Sequence, residues 1–145
     1  MQYAGFWRRF VAAIIDAILG SILAGIACVL MALIVFAAGR AAGAPEERVM
    51  AATYIAVMTV GIPFYYLYHA VFESSARGAT PGKMALGIAV TDTEGGRIGF
   101  GRAFARNVAK VASYMILMIG FLMAAFTERK QALHDLMTGC LVVRR

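Results

Sequence analysis

Two long stretches of the chain carry no lysine, arginine, aspartate or glutamate: Ala17 to Gly39, 23 residues, and Val49 to Phe72, 24 residues whose one basic side chain is His69. About 20 apolar residues in a helix cross the hydrocarbon core of a bilayer. The pattern therefore predicts transmembrane helices over about 10–38 and 49–72. A third uncharged stretch, Val111 to Thr127, holds only 17 residues and contains Gly120. It spans only by borrowing residues from Ala103 onward, so a segment over about 103–127 either crosses or dips in and returns.

Between the second and third segments, over about 73–101, the pattern changes period. Glu73 to Thr80 is polar and turn-prone, and Pro81-Gly82 punctuates it. Leu86, Ile88 and Val90 alternate with other positions as in a half-buried strand. Asp92 to Gly96 supplies a turn, and Arg97 to Phe100 is expected to return as a second strand. The tail, 128–145, predicts a short helix around Lys130 to Met137, a stop at Gly139 and an extra strand over Leu141 to Val143. The expected architecture is a single all-α membrane domain over 1–145: two transmembrane helices, a third spanning or re-entrant helical segment and a small cytoplasmic β-hairpin.

Composition supports lipid as the solvent. Of 145 residues 61% are hydrophobic and 15% charged, against about 25% charged in a soluble domain. The net charge of +6 is spread along segment borders rather than gathered in one basic module, so no nucleic-acid partner is expected. Basic residues in short loops set orientation. Arg77, Lys83, Arg97, Arg102, Arg106 and Lys110 follow the second helix, whereas Arg40 and Arg48 in the first loop are offset by Glu46 and Glu47. The N-terminus, with Arg8 and Arg9, and the long loop are thus expected in the cytoplasm. The tail is basic too, through Arg129, Lys130, Arg144 and Arg145, which favours a third segment that returns near Gly120. Arg8-Arg9-Phe10 and Gly25-Ile26-Ala27-Cys28 only partly match twin-arginine and lipoprotein signals, and Asp16 interrupts the first, so the first helix is expected to be retained.

Asp16 is the most informative residue, because an aspartate well inside a lipid-embedded helix costs roughly 2.5 to 3.5 kcal/mol on insertion scales. It requires protein or water beside it. Ala13, Gly20, Ala24 and Ala27 continue its face with small residues that let another helix approach. Arg9 lies two turns away, and its side chain leans toward the helix start, so Asp16 needs a partner from another segment. On the second helix Tyr66, His69 and Glu73 form one polar stripe, with Pro63 one turn earlier. Arg102, Arg106 and Lys110, spaced by four, enter the third segment with Asn107 among them. Topology alone collects Arg9, Asp16, His69, Glu73, Arg106 and Asn107 into one layer. Two readings of it stay open: a network that orients helices, or a cation or proton site with Asp16 titrating and His69 as relay.

Other chemistries find little support. Cys28 and Cys140 are far apart and belong to no Cys-x-x-Cys or His-bearing cluster, so neither a disulfide framework nor a metal site is implied. Gly78-Ala79-Thr80-Pro81-Gly82-Lys83 is one residue short of a phosphate loop and continues with Met84 where Ser or Thr is required, so no nucleotide is expected. It reads as a Pro-Gly turn with a lipid-facing lysine. His134-Asp135 lacks a nucleophile. No cofactor and no enzymatic activity are expected.

Taken together, Ala4-Gly5-Phe6-Trp7-Arg8-Arg9 leading to Asp16, Ala79-Thr80-Pro81-Gly82-Lys83 with Leu86-Gly87, Gly95-Gly96, Phe100-Gly101-Arg102-Ala103, Arg106-Asn107 and Arg129-Lys130-Gln131-Ala132-Leu133-His134-Asp135 resemble the RDD family of small bacterial membrane proteins. The resemblance covers nearly the whole chain; Met137-Thr138-Gly139-Cys140 departs from the Ala-Gly-Thr often found there. It implies that the family's arginine falls on Arg8 or, better, Arg9, and its two aspartates on Asp16 and Asp135. It also implies that the tail returns to the N-terminal side, with the arginine pairing with Asp135. The family's activity is largely uncharacterised, with cation/proton exchange suggested for some relatives. The functional expectations are therefore a cation or proton transporter of the bacterial inner membrane or a non-transporting scaffold or accessory subunit, working with lipid and as a homo-oligomer or with a membrane partner.

Overall fold

A computed structural model describes residues 1–116 and 119–145; Leu117 and Met118, within the expected third segment, lie outside the described residues. Eight elements follow in order: α1 (Phe6–Ala41), α2 (Glu46–Ser74), α3 (Pro81–Ala85), β1 (Ile88–Asp92), α4 (Phe100–Met115), α5 (Ile119–Phe126), α6 (Leu133–Thr138) and β2 (Cys140–Arg144). Both long helices outrun the apolar stretches that predict them. Arg40 lies in the last turn of α1 and Glu46 and Glu47 in the first turn of α2, charges that suit the helix dipole at those ends and let the helices continue past the lipid-soluble part. At 1.5 Å per residue, the 36 residues of α1 reach about 54 Å, well beyond a hydrocarbon core of about 30 Å. α2 continues across Pro63.

The chain divides into two units, one of Ile18–Tyr65 and one of Met1–Ala17 with Tyr66–Arg145. In the first, the paired parts of α1 and α2 pack through small residues: a Cβ on Gly39 would lie 2.8 Å from Val49 Cγ2, and one on Gly61 3.0 Å from Cys28 Sγ. Their other sides display Ile22, Ile26, Val29, Leu33, Ile55 and Ile62. A chain with this surface is a membrane protein.

In the second unit a small core gathers Ala4, Ala12, Ala70, Ile88, Val90, Ile98, Ala103, Cys140 and Val142. The two-stranded antiparallel sheet is present, but its strands are β1 and β2, with Ala89 opposite Val143 and Thr91 opposite Leu141. The return strand expected at Arg97–Phe100 does not form. Ile98 is buried in the core instead and α4 starts at Phe100, because the all-apolar Leu141-Val142-Val143 offers β1 a better-buried partner than a segment holding Arg97 and Gly99. β1 is also buried on both faces rather than half-buried; the loop before α3 covers it, with Val90 N donating to Gly78 O at 2.7 Å. Residues 2–4 line the sheet's other edge: Ala4 N donates to Val142 O and Arg144 N to Gln2 O. The third segment is bent, α4 and α5 meeting at 102°. The bend falls between Met115 and Ile119, close to Gly120, which lies in α5 buried against α4, where a Cβ would stand 2.7 Å from Ser113 Oγ.

Candidate functional site

Within the second unit the charged residues form one alternating chain. Asp135 sits at the third position of α6, where its Oδ2 accepts the Ala132 N–H at 3.2 Å. This is half of a capping box, since Ala132 has no side-chain oxygen to return the bond. The same oxygen accepts Arg9 Nη1 at 2.5 Å, while Oδ1 accepts Arg106 Nε at 2.8 Å and Nη2 at 2.7 Å. Arg106 then turns its third nitrogen to Glu73, Nη1 standing 2.9 Å from Oε1 and 2.8 Å from Oε2. Glu73 also accepts Lys83 Nζ, and Asn107 Nδ2 at 3.1 Å. Lys110 Nζ completes the row by donating to Asn107 Oδ1 at 2.6 Å. Five segments, from α1, α2, α3, α4 and α6, are tied by this chain.

Helix periodicity produces the arrangement. Arg106 and Lys110 are one turn apart on α4, and Ala103, under Arg106, is fully buried and leaves room for the guanidinium. Asn107 fixes its own amide by donating to Ala103 O at 2.8 Å as well as to Glu73. Arg9 is steadied by the carbonyls of Ala4 (3.0 Å) and Val142 (3.5 Å). Glu73 and Asp135 are fully buried and Arg106 nearly so. Burial alone pushes the Asp135 carboxyl up, but the guanidiniums of Arg106 and Arg9 outweigh it and hold the group well below the usual carboxylate range. Its neighbour His134 is held down to about 3 by burial, with Arg106 adding. That imidazole, neutral at physiological pH, stands 3.3 Å from Ser113 Oγ and edges against Phe121.

Asp16 stands outside the chain of ion pairs. Its Oδ2 accepts the Thr80 hydroxyl at 2.5 Å and its Oδ1 the Gly82 N–H at 2.7 Å. Thr80 is the residue before α3 and Pro81 its first residue, so a carboxylate on α1 serves as the cap that Thr80 itself does not supply. Gly82 is compulsory: a Cβ there would lie 2.5 Å from Ala12 O and 2.7 Å from Asp16 Oδ1. His69 is buried beside Tyr68, ring centroids 5.2 Å apart. The geometry thus brings together Arg9, Glu73, Arg106, Asn107 and Asp135, and gives Asp16 to the 80–82 turn. Lys83 corrects the expectation of a lipid-facing side chain, since a buried Glu73 draws its ammonium inward. The spacing of Lys83 gave no sign of this partner.

A model of the RDD family matches residues 3–139. The chain belongs to the RDD family. A curated relative, the uncharacterized protein YxaI of Bacillus subtilis (strain 168), is 35% identical over 147 residues, covering 97% of this chain and 96% of its own. No solved structure matches. Arg9 and Asp135, onto which the resemblance would put the family's arginine and second aspartate, are in direct contact. Asp16, the expected position of the family's first aspartate, contacts the Thr-Pro-Gly-Lys turn instead. A carboxylate offers about four lone-pair positions. Glu73 and Asp135 fill theirs with protein donors, leaving none directed at a ligand.

Proposed function

We propose that the chain is a non-transporting membrane scaffold or accessory subunit of the bacterial inner membrane, whose buried charges hold the segments of 1–17 and 66–145 together. It carries no catalytic step. The observation behind this reading is the state of Asp16: both its oxygens are engaged by the 80–82 turn, and Gly82 leaves no space beside it. A transport carboxylate needs open lone pairs; each oxygen of Asp16 already holds a protein donor, and Glu73 and Asp135 are more fully occupied still. Residues 2–4 and 142–144 lie side by side, which supports an even number of crossings and a re-entrant α4–α5. The loop charges support placing that shared side in the cytoplasm.

Ion flux in proteoliposomes under imposed Na⁺, K⁺ and proton gradients tests the reading. Wild type is expected to be silent, and Asp16→Asn to lower unfolding stability by about 1–3 kcal/mol through the disturbed turn. Flux in wild type that disappears in a folded Asp16→Asn protein would establish the transport reading instead.

A further inference from the structure

The chain of ion pairs ends differently at its two sides. At one end Arg9 is closed by Asp135 and two backbone carbonyls. At the other, Lys83 and Lys110 flank Glu73, whose charge Arg106 already shares. Lys110 Nζ has Asn107 Oδ1 as its acceptor, and among the described residues no carboxylate lies within salt-bridge distance of it. Among the described residues Lys83 Nζ has Glu73 as its one acceptor. An ammonium carries three donors, so each of these has donors left over. Arg9, Lys83 and Arg106 outnumber Glu73 and Asp135, and Lys110 adds a further amine at the Glu73 end. Cations in excess within a poorly solvated site call for an anion.

The surroundings say which anion. Lys83 and Lys110 are both half-buried rather than fully enclosed. Lys110 lies on α4, whose Phe100, Phe104, Val108 and Val111 are exposed, an apolar face on a membrane protein that lipid must cover. Unfilled ammonium donors beside a lipid-covered face meet the phosphate of the bilayer surface. We propose that Lys83 and Lys110 form a binding site for the phosphate of an anionic phospholipid headgroup, which supplies the negative charge the protein lacks there. Basic pockets between membrane helices bind anionic headgroups by this chemistry.

The test is a titration of the full-length protein in a neutral detergent with dioctanoyl phosphatidylglycerol, followed by native mass spectrometry and calorimetry. Saturable binding is expected, at least tenfold tighter than to dioctanoyl phosphatidylcholine. Lys110→Gln should weaken it about fivefold, as expected for one basic residue near a headgroup. Lys110→Arg, which keeps the charge and protects against a folding artefact, should retain it. Arg102→Gln removes an exposed cation of the same helix and should change little. Equal weakening by Lys110→Gln and Arg102→Gln would mean diffuse surface charge and overturn the site. So would binding of inorganic phosphate as tight as that of the lipid, or absence of saturable lipid binding.

Discussion

Residues 18–65 and the rest of the chain solve the burial of a hydrophobic sequence in opposite ways. Among the described residues of 18–65, Val49 is the one buried hydrophobic side chain and no charged group is buried. The helices there present apolar surface outward and meet at Gly39 against Val49 and Gly61 against Cys28. Residues 1–17 and 66–145 bury Asp16, Glu73, Arg106 and Asp135 within a core of mostly small apolar residues. The first unit delegates stability to lipid, and its helices are held by backbone hydrogen bonds that apolar solvent makes obligatory. The second depends on each carboxylate finding its cation, because one missing partner leaves the other buried and unpaired.

The largest consequence is at Arg106, which bridges the buried carboxylates of Glu73 and Asp135. Arg106→Met should cost at least about 3–5 kcal/mol, the scale for breaking a buried pair from one side. Chemical unfolding in micelles, or loss of folded protein on expression, reads this out. A loss under about 1 kcal/mol would mean that water reaches the network, and the contrast between the units would collapse.

Gly82→Ala comes next. The new methyl would meet Ala12 O at 2.5 Å, backbone that cannot rotate away, and overpacking of this kind costs about 1–3 kcal/mol. The expected signature is a lowered unfolding midpoint together with protease sensitivity around Thr80. Unchanged stability would show that the Asp16 contact to this turn is dispensable.

Much of the first unit is legible in the sequence, because a run of uncharged residues longer than a bilayer has few alternatives. The polar layer was legible in outline for a similar reason: Glu73, Arg106 and Asn107 each sit at the end of a predicted helix, and topology brings those ends together. What sequence could not supply was pairing across long separations. β1 and β2 lie some fifty residues apart, and alternation along Leu86, Ile88 and Val90 says that a strand wants a partner without naming it. Asp16 was readable as a carboxylate in need of donors. That these would be a threonine hydroxyl and a glycine N–H followed from the close approach of the 80–82 turn, which only packing decides. Lys83 was misplaced for the same reason.

A pH dependence separates the units more gently. His134 is neutral in the fold, with its imidazole held down to about 3 by burial and by Arg106, whereas an unfolded histidine titrates near 6.5. Below about 6.5 the unfolded chain therefore binds a proton that the folded chain does not. Stability is complete above that value and falls as pH drops toward 3, by up to about 1.4 kcal/mol per pH unit. Asp135, whose carboxyl is depressed, adds a loss in the same direction only below about 4. Unfolding measured between pH 7 and 4.5 should show the slope, and His134→Gln should flatten it. A slope unchanged by His134→Gln would assign it elsewhere.

The smallest effect belongs to Gly25→Ala, in the middle of α1. Nothing lies within 4 Å of a Cβ built there, and alanine is the better helix former, by at most about 1 kcal/mol in water. The chain taken singly thus predicts unchanged or slightly raised stability, the reverse of Gly82→Ala. Unfolding midpoints for the two variants, measured side by side in the same micelles, make the comparison direct. Should Gly25→Ala weaken the protein, or shift its oligomeric state, the open space at Gly25 is filled by another helix in the assembled protein, since small residues at such positions set how closely membrane helices approach. Residues 18–65 would then owe part of their stability to protein contact rather than to lipid, and the division of labour between the two units would have to be redrawn around an interface.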